Sequence, residues 1–267
     1  MWKRFDPARP LAVIVAAVLA GVVAGLVASV LLTFTAEPVI DRAVALENHR
    51  HAVAEPNEAT EPELVSRRVQ KGAGRFAAYG LAGGAYGALF GIAFLALRRH
   101  RPGGRDTGAF RRAVLAGAVS AGALTVMPFL KYPPNPPGVG DPATLAERQW
   151  KYLALIFLSL VVLAGAARLS GRLRERGWLD DQRLVAVALA VVVPLGIVCA
   201  ALPPFSDPVD VPANLLWRFR IASLGGNLLL WGVLTVGFGA AAARRERELS
   251  VAAEGAAGGG LRPATSP

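Results

Sequence analysis

Apolar residues occur along this chain in long unbroken runs rather than alternating with polar residues. Six of the runs are close to the ~20 residues that an α-helix needs to cross a lipid bilayer. None of the six contains Asp, Glu or Lys, and their only Arg, Arg168, ends the fourth run, where it can reach the membrane interface. The runs cover residues 11–34, 76–97, 113–130, 152–169, 184–202 and 221–243. This pattern predicts an all-α, polytopic integral membrane protein with six transmembrane helices.

Composition agrees with a membrane location. The chain has 267 residues, of which 54% are hydrophobic and only 18% charged, a mixture that water-soluble domains of this size rarely show. The first run is longer than the ~7–15 apolar residues of a secretory signal, so we expect it to stay as an anchor. The predicted organisation is a cytoplasmic N-terminal tail (1–10), a membrane domain (11–243) and a Gly- and Ala-rich, disordered cytoplasmic tail (244–267).

The distribution of basic residues predicts that both termini lie inside. The second connection between runs has six Lys and Arg and the fourth has four, against three in the third and two in the fifth. The first connection also has six, but seven carboxylates accompany them. By the positive-inside rule, the first, third and fifth connections are therefore outer loops. The net charge of +10 then reflects anchoring to the bilayer, and no aromatic-interleaved basic motif indicates a nucleic-acid partner.

The third connection, FLKYPPNPPGVGDPATLAERQW, is rich in proline. Its two proline pairs stiffen the backbone, which predicts an arm laid over the outer mouth of the helix bundle. Asp141 followed by Pro142 is the pattern of an N-cap and a first helical residue, so we expect the next helix to begin there. The structural and gating candidates of this loop are Pro133, Pro134, Pro136, Pro137 and Asp141.

The fifth connection is also rich in proline and repeats part of this pattern. Residues 142–148 and 212–218 both read P-A-x-L-x-x-R. We therefore expect spans three and four and spans five and six to be related hairpins, with Arg148 and Arg218 facing each other at the outer helix starts. Coincidence in an Ala- and Leu-rich chain is the alternative.

Several motifs together resemble one known family. They are AEPVIDRAVALE, LVSRRVQKGAGRFAAYGLAGGAYGALFG, FLKYPPNPPGVGDPATLAERQ and ANLLWRFRIASLG, and the likeness runs from about residue 8 to residue 245. They resemble the CbtA family, described as probable cobalt transporter subunits. The resemblance implies a bacterial inner-membrane protein that works with CbtB, a small one-span partner rich in histidine, in uptake of cobalt for cobalamin. An enzyme is not expected, since the chain has no HExxH, GxSxG or P-loop motif.

Cobalt transport leads us to look for metal ligands. Co²⁺ is the expected transported ion, with no permanently bound cofactor, and it favours imidazole and carboxylate ligands. If Pro38 opens a helix, Glu47 and His51 stand at i,i+4 on one face; in an extended segment, His49 and His51 share a side instead. Glu37 and Asp41 form a second i,i+4 candidate pair. A solvated helix with an ordinary Glu–His pair is the alternative.

Polar groups inside the spans are few. Pro194 and Asn227 are structural or gating candidates, although a proline kink is usually accommodated by neighbouring helices and Asn227 can hydrogen-bond between helices. Glycines at 80, 83, 84, 87 and 91 have small-xxx-small spacing, which favours close helix contact and offers a face for a partner span.

Two other functions are open from the residues alone. One is a non-transporting membrane scaffold or regulator that binds its partner through the glycine face. The other is a transporter of nickel or another cofactor-related substrate, where the outer arginines suit an anion. Self-association into a homo-oligomer is also open.

Overall fold

The computed structural model describes residues 9–54, 66–99, 108–137, 139–205 and 209–258, and all regular secondary structure in these ranges is helical. The helices are α1 (Pro10–Thr35), α2 (Glu37–Ala54), α3 (Arg75–Arg99), α4 (Ala109–Ala121), α5 (Met127–Lys131), α6 (Leu145–Glu175), α7 (Asp180–Ala201) and α8 (Ala213–Gly258). A helical turn, Arg67–Val69, and a π-helical turn, Gln70–Gly74, lead into α3. A second π-helical turn, Gly122–Val126, joins α4 to α5, and a 3₁₀ turn, Pro142–Thr144, precedes α6.

The predicted all-α, six-span class is confirmed. Six helices of the described chain are long and apolar enough to cross a membrane: α1, α3 with its leading turns, α4 joined to α5, α6, α7 and α8. Helices α6 and α8 extend well beyond the predicted apolar runs, because good helix-forming charged residues continue them at both ends. The assignment of inner and outer sides stays a prediction.

Helices α1 and α3 form the closest contact of the bundle, along a stripe of glycines. A Cβ added to Gly83 would overlap the carbonyl oxygen of Gly21, and one added to Gly21 would overlap that of Gly83. Gly25 and Gly87 meet the opposite backbone in the same way. The predicted close helix contact is therefore confirmed, and its partner is α1 of the same chain. The idea that this glycine face is offered to another protein is wrong, since α1 covers it.

Helix α8 packs along α1 and α4 and completes the core. Phe238 of α8 meets Phe90 and Phe94 of α3 edge to face, with ring centroids 5.2 Å and 5.1 Å apart. Trp231 stacks on Tyr86 at 5.2 Å. These buried rings supply the large side chains of a core that is otherwise rich in alanine and glycine.

Helix α8 also corrects the predicted disordered tail. It continues to Gly258, whereas the sequence predicted disorder from residue 244 onward. Glu246 anchors the first part of this extension, because its carboxylate pairs with the buried guanidinium of Arg112 and accepts the backbone N–H of Ala109 at 2.9 Å. A carboxylate at the start of α4 is favourable to the helix dipole. Residues 259–267 lie outside the described part.

Helix α7 is peripheral. It packs against α6, has little contact with α8, and none of its residues is buried. Spans five and six therefore do not form a hairpin like that of spans three and four, and the predicted repeat of hairpins is wrong. Pro194 lies inside α7 without ending the helix.

Candidate functional site

A cavity of about 740 Å³ opens between α3, α5, α6 and α8, beneath the proline-rich arm. This volume is in the range of small-molecule sites in proteins. Its walls are largely aromatic and apolar, with polar groups at intervals. The polar lining consists of Tyr79, Tyr86, Thr125, Tyr132, Asn135, Arg148, Gln149, Tyr152, Ser223 and Asn227.

The π-helical turn in the third span shapes one wall. It ends directly before Met127-Pro128, so the proline follows a turn whose hydrogen bonding is already irregular. Thr125 lies in this turn and accepts a buried hydrogen bond from Trp231 Nε1 at 2.9 Å. The bond fixes the irregular turn to α8. The sequence analysis did not predict this π-helical turn.

Asn227 lines the cavity from the middle of α8. Its Nδ2 donates to the carbonyl oxygen of Ser223, one turn earlier in the same helix, at 2.9 Å. Among the described residues, this bond within α8 is the one that the Asn227 side chain makes. The alternative that Asn227 forms a hydrogen bond between two helices is therefore wrong. Its position on the cavity keeps it a gating candidate.

The proline-rich arm lies at the mouth of the cavity. Pro133 and Pro134 line it, while Pro136 is buried and Pro137 exposed. Arg220 of α8 anchors the arm: its Nε donates to the carbonyl oxygen of Pro134 at 3.3 Å and its Nη2 to the side chain of the neighbouring Asn135 at 3.0 Å. The arm therefore packs at the mouth of the cavity, whereas its location on the outer side and its influence on transport stay predictions.

The two proline-rich loops pack together at this mouth. Tyr132 stacks on Phe205 with centroids 4.3 Å apart, and its hydroxyl donates to the carbonyl oxygen of Pro203 at 2.8 Å. Lys151 of α6 donates to the carbonyl oxygen of Pro204 at 3.3 Å. The aromatic stack and the hydrogen bonds link spans three, four and five at this end.

Asp141 fixes the start of the fourth span. Its Oδ1 accepts the N–H of Ala143 at 2.8 Å, and its backbone carbonyl accepts the hydroxyl of Thr144 at 2.8 Å and Nη2 of Arg148 at 3.1 Å. The predicted cap is therefore present, although it caps the 3₁₀ turn before α6 rather than the first α-helical turn.

Arg148 and Arg218 do not face each other. Arg148 lines the cavity under the arm, whereas Arg218 lines a separate groove with Arg42, between α1, α2 and α8. The motif P-A-x-L-x-x-R recurs without a shared environment, because α6 and α8 present different neighbours to it.

The carboxylates of Glu37 and Asp41 lie together where α1 ends and α3 begins, but basic side chains already surround them. Glu37 pairs with Nη1 of Arg75 at 2.8 Å and with Nη2 of Arg67 at 3.0 Å. Asp41 pairs with the same Arg67 atom at 3.2 Å and with Lys71 at 2.6 Å. The prediction of a metal site at this pair is not supported, since three basic side chains occupy the positions around its oxygens.

Sequence reasoning missed this charge ladder, although a signal for it exists. The ladder consists of two sets of polar residues, and within each set successive residues are four positions apart, which places them on one helix face. Arg75 extends the contact inward, donating to Thr33 Oγ1 at 2.8 Å and to Ser29 Oγ at 3.3 Å. The two sets are Ser29, Thr33, Glu37 and Asp41 on one side and Arg67, Lys71 and Arg75 on the other.

The ladder also sets the protonation of Asp41. The hydrogen bond from Lys71, and after it the interactions with Arg67, hold the pKa of the Asp41 carboxyl below its ordinary value, against the partial burial that raises it. Asp41 therefore stays ionised to a lower pH than an ordinary aspartate does.

The predicted ligands Glu47, His49 and His51 lie on α2, so the helical arrangement is correct and the extended one is wrong. Glu47 is half-buried and His49 exposed, and the side chain of His51 lies outside the described part. Within the described residues, no group of three or more His, Cys, Asp and Glu side chains could hold a metal ion. A site at these three residues stays a prediction.

The comparison with protein families decides the relationship. The family model described as "Probable cobalt transporter subunit (CbtA)" matches residues 11–243, which include all six apolar runs and both proline-rich loops. The chain belongs to the CbtA family. Membership of CbtA supports a role in cobalt transport across a membrane, as a subunit of a larger assembly. No curated protein and no solved structure matches the chain.

Proposed function

We propose that this CbtA-family chain is the membrane subunit of a bacterial cobalt uptake system that supplies cobalt for cobalamin. The observation that carries the proposal is the family match over nearly the whole membrane domain. In this proposal Co²⁺ is the cargo and no cofactor is permanently bound. The protein lies in the inner membrane with both termini inside, so the proline-rich arm faces the outside.

We propose that the transported ion passes through the cavity beneath the arm. Its described lining offers neutral oxygen donors, including tyrosine hydroxyls and the amides of Asn135, Gln149 and Asn227, but no carboxylate, imidazole or thiol. A dehydrated Co²⁺ ion prefers imidazole or carboxylate ligands. The ion would therefore cross the cavity with its hydration shell, held by hydrogen bonds to coordinated water.

A small one-span subunit is the proposed partner. Helix α7 supports this, because it leaves more of its apolar surface outside the bundle than any other described span. A second copy of the chain on the same face is the alternative. Cysteine cross-linking between α7 and a co-expressed one-span neighbour tests the partner, and cross-links only to α7 of another copy would contradict it.

Cobalt uptake tests the function directly. Cells that express the chain with its genomic neighbours should accumulate cobalt, measured by elemental mass spectrometry, above cells that lack it. His49→Ala with His51→Ala should reduce the accumulation at equal protein level. The matched control is His100→Ala, which removes the third histidine of the chain, located in the second connection on the predicted inner side. Unchanged uptake in the double variant would remove these histidines from the proposal and leave metal binding to the partner.

A second candidate is transport of nickel or of another cofactor-related substrate. Arg148 on the cavity favours an anionic cofactor-related substrate, since a guanidinium attracts an anion and repels Co²⁺ and Ni²⁺ alike. Measuring nickel and cobalt accumulation in the same cells separates the two. The scaffold alternative has lost its proposed surface, because α1 covers the glycine face.

The orientation has its own test. Reporter fusions after residues 60, 140 and 208 should report outside, and fusions after 104 and 176 should report inside. A cytoplasmic signal at 140 would place the arm on the wrong side for uptake.

A further inference from the structure

A second groove lies at the same end of the bundle as the charge ladder, on the outside of the helices. It has a volume of about 470 Å³ and runs between the end of α1, the first turns of α2 and the first half of α8. Leu31, Phe34 and Ile221 give it an apolar wall, and Phe34 is 75% exposed. Two arginines, Arg42 and Arg218, complete the lining.

The two arginines of this groove are unlike their neighbours. Within the described part of the chain, neither guanidinium has a hydrogen bond or ion pair, and no carboxylate lines the groove. Nearby basic residues do have partners: Arg75 pairs with Glu37 at 2.8 Å, and Arg50 with Asp210 at 3.3 Å. Two like charges on one groove repel each other, so an anion between them would be stabilised.

The depth of the groove in the membrane indicates which kind of anion would bind between the two arginines. Arg42 lies just past the end of the first span, and Arg218 just before the predicted start of the sixth at Ile221, while the exposed Trp217 beside it is typical of the membrane interface. Charged groups at this depth meet lipid headgroups, and the apolar wall meets acyl chains. Arginine binds phosphate through two parallel hydrogen bonds, which a lysine cannot form.

We propose that this groove binds an anionic phospholipid of the surrounding leaflet, with its phosphate between Arg42 and Arg218 and the upper part of an acyl chain on Leu31 and Phe34. The lipid would cover the contact of α1 and α2 with α8 beside the charge ladder. The inference does not depend on the cargo of the protein.

Lipid binding to the purified chain in detergent tests the proposal. Native mass spectrometry would compare dissociation constants for phosphatidylglycerol and phosphatidylcholine with identical acyl chains. The unmodified protein should prefer phosphatidylglycerol, and Arg42→Gln with Arg218→Gln should weaken the binding of that lipid roughly 25-fold, since each basic group near an anionic surface contributes about fivefold. Binding of phosphatidylcholine should change little. Arg42→Lys with Arg218→Lys should be intermediate.

Arg172→Gln with Arg176→Gln is the matched control. It removes the same two positive charges from exposed positions at the far end of α6 that line none of the described grooves, and it should keep the preference. Circular dichroism would establish that the variants are folded. Equal affinity for the two lipids in the unmodified protein, or an unchanged preference in the Arg42 and Arg218 double variant, would overturn the proposal. So would equal competition by inorganic phosphate, or cross-links showing that a second copy fills the groove.

Discussion

Glu37 and Arg75 form an ion pair at the end of the closest helix contact in the molecule, with 2.8 Å between Oε1 and Nη1. Both side chains are nearly buried, at 12% and 10% exposure. Arg75 also donates to Ser29 and Thr33, so α1, α2 and α3 meet at this one guanidinium. The glycine contact inside the membrane thus continues into a polar contact at its end.

Removal of one member of this pair should destabilise the protein. Glu37→Ala leaves the charge of Arg75 buried without a carboxylate, which we expect to lower the free energy of unfolding by about 3 kcal/mol. The control is Glu248→Ala, which removes an exposed i,i+3 partner of Arg245 and should cost less than about 0.5 kcal/mol. Thermal unfolding in detergent measures both, and equal losses for the two variants would contradict the importance of burial.

Asp41 should make stability sensitive to acid. Its pKa is lowered in the folded state, chiefly by the hydrogen bond from Lys71, so its contribution is complete above the ordinary pKa of about 3.9 and is lost as the pH falls below that value. Asp41→Asn should therefore flatten the fall of the unfolding temperature below about pH 4 while leaving its shape between pH 6 and 8 unchanged. A steep acid limb in the variant, equal to that of the unmodified protein, would assign the effect to other carboxylates.

Gly83 should tolerate no side chain. A methyl group there would overlap the backbone of Gly21, so Gly83→Ala should separate α1 from α3 and lower the unfolding temperature. Gly232→Ala is the matched control, because a Cβ at Gly232 meets no atom within 4 Å. It should be neutral or stabilise by up to about 1 kcal/mol through helix propensity. Equal behaviour of the two variants would show that the glycine contact is not close in solution.

Asp141 should affect transport more than folding. Asp141→Ala removes the acceptor of the Ala143 N–H and should cost about 0.5–2 kcal/mol locally, enough to loosen the arm but not to unfold six packed spans. We expect normal protein level with reduced cobalt uptake, and a milder effect for Asp141→Asn, which can still accept this bond. Loss of protein in both variants would assign the loop to folding, and unchanged uptake in both would make the arm a passive connector.

The sequence by itself determined the class of the protein and its local features. Six apolar runs identify six spans because transfer of a helix into lipid depends on its own composition and length, not on its neighbours. The cap at Asp141 and the close-packing glycines of α3 were predictable for the same reason, since a cap is local and a small-residue stripe permits close approach wherever a partner lies. The family resemblance was likewise visible in contiguous motifs.

Only the tertiary structure decided which residues are partners. Glu37 and Asp41 had the ligand types and spacing of a metal pair, but their neighbours are Arg67, Lys71 and Arg75, which are distant in the sequence. The i,i+4 spacing shows that each set shares a helix face, but it does not show that the two faces meet. The packing of the helices also gave different surroundings to Arg148 and Arg218, which share the same local motif. Arg148 lies on a cavity within the bundle, and Arg218 lies on a groove at its surface. Periodicity fixes the face of a helix on which a side chain lies, whereas the packing of the helices fixes what that face meets.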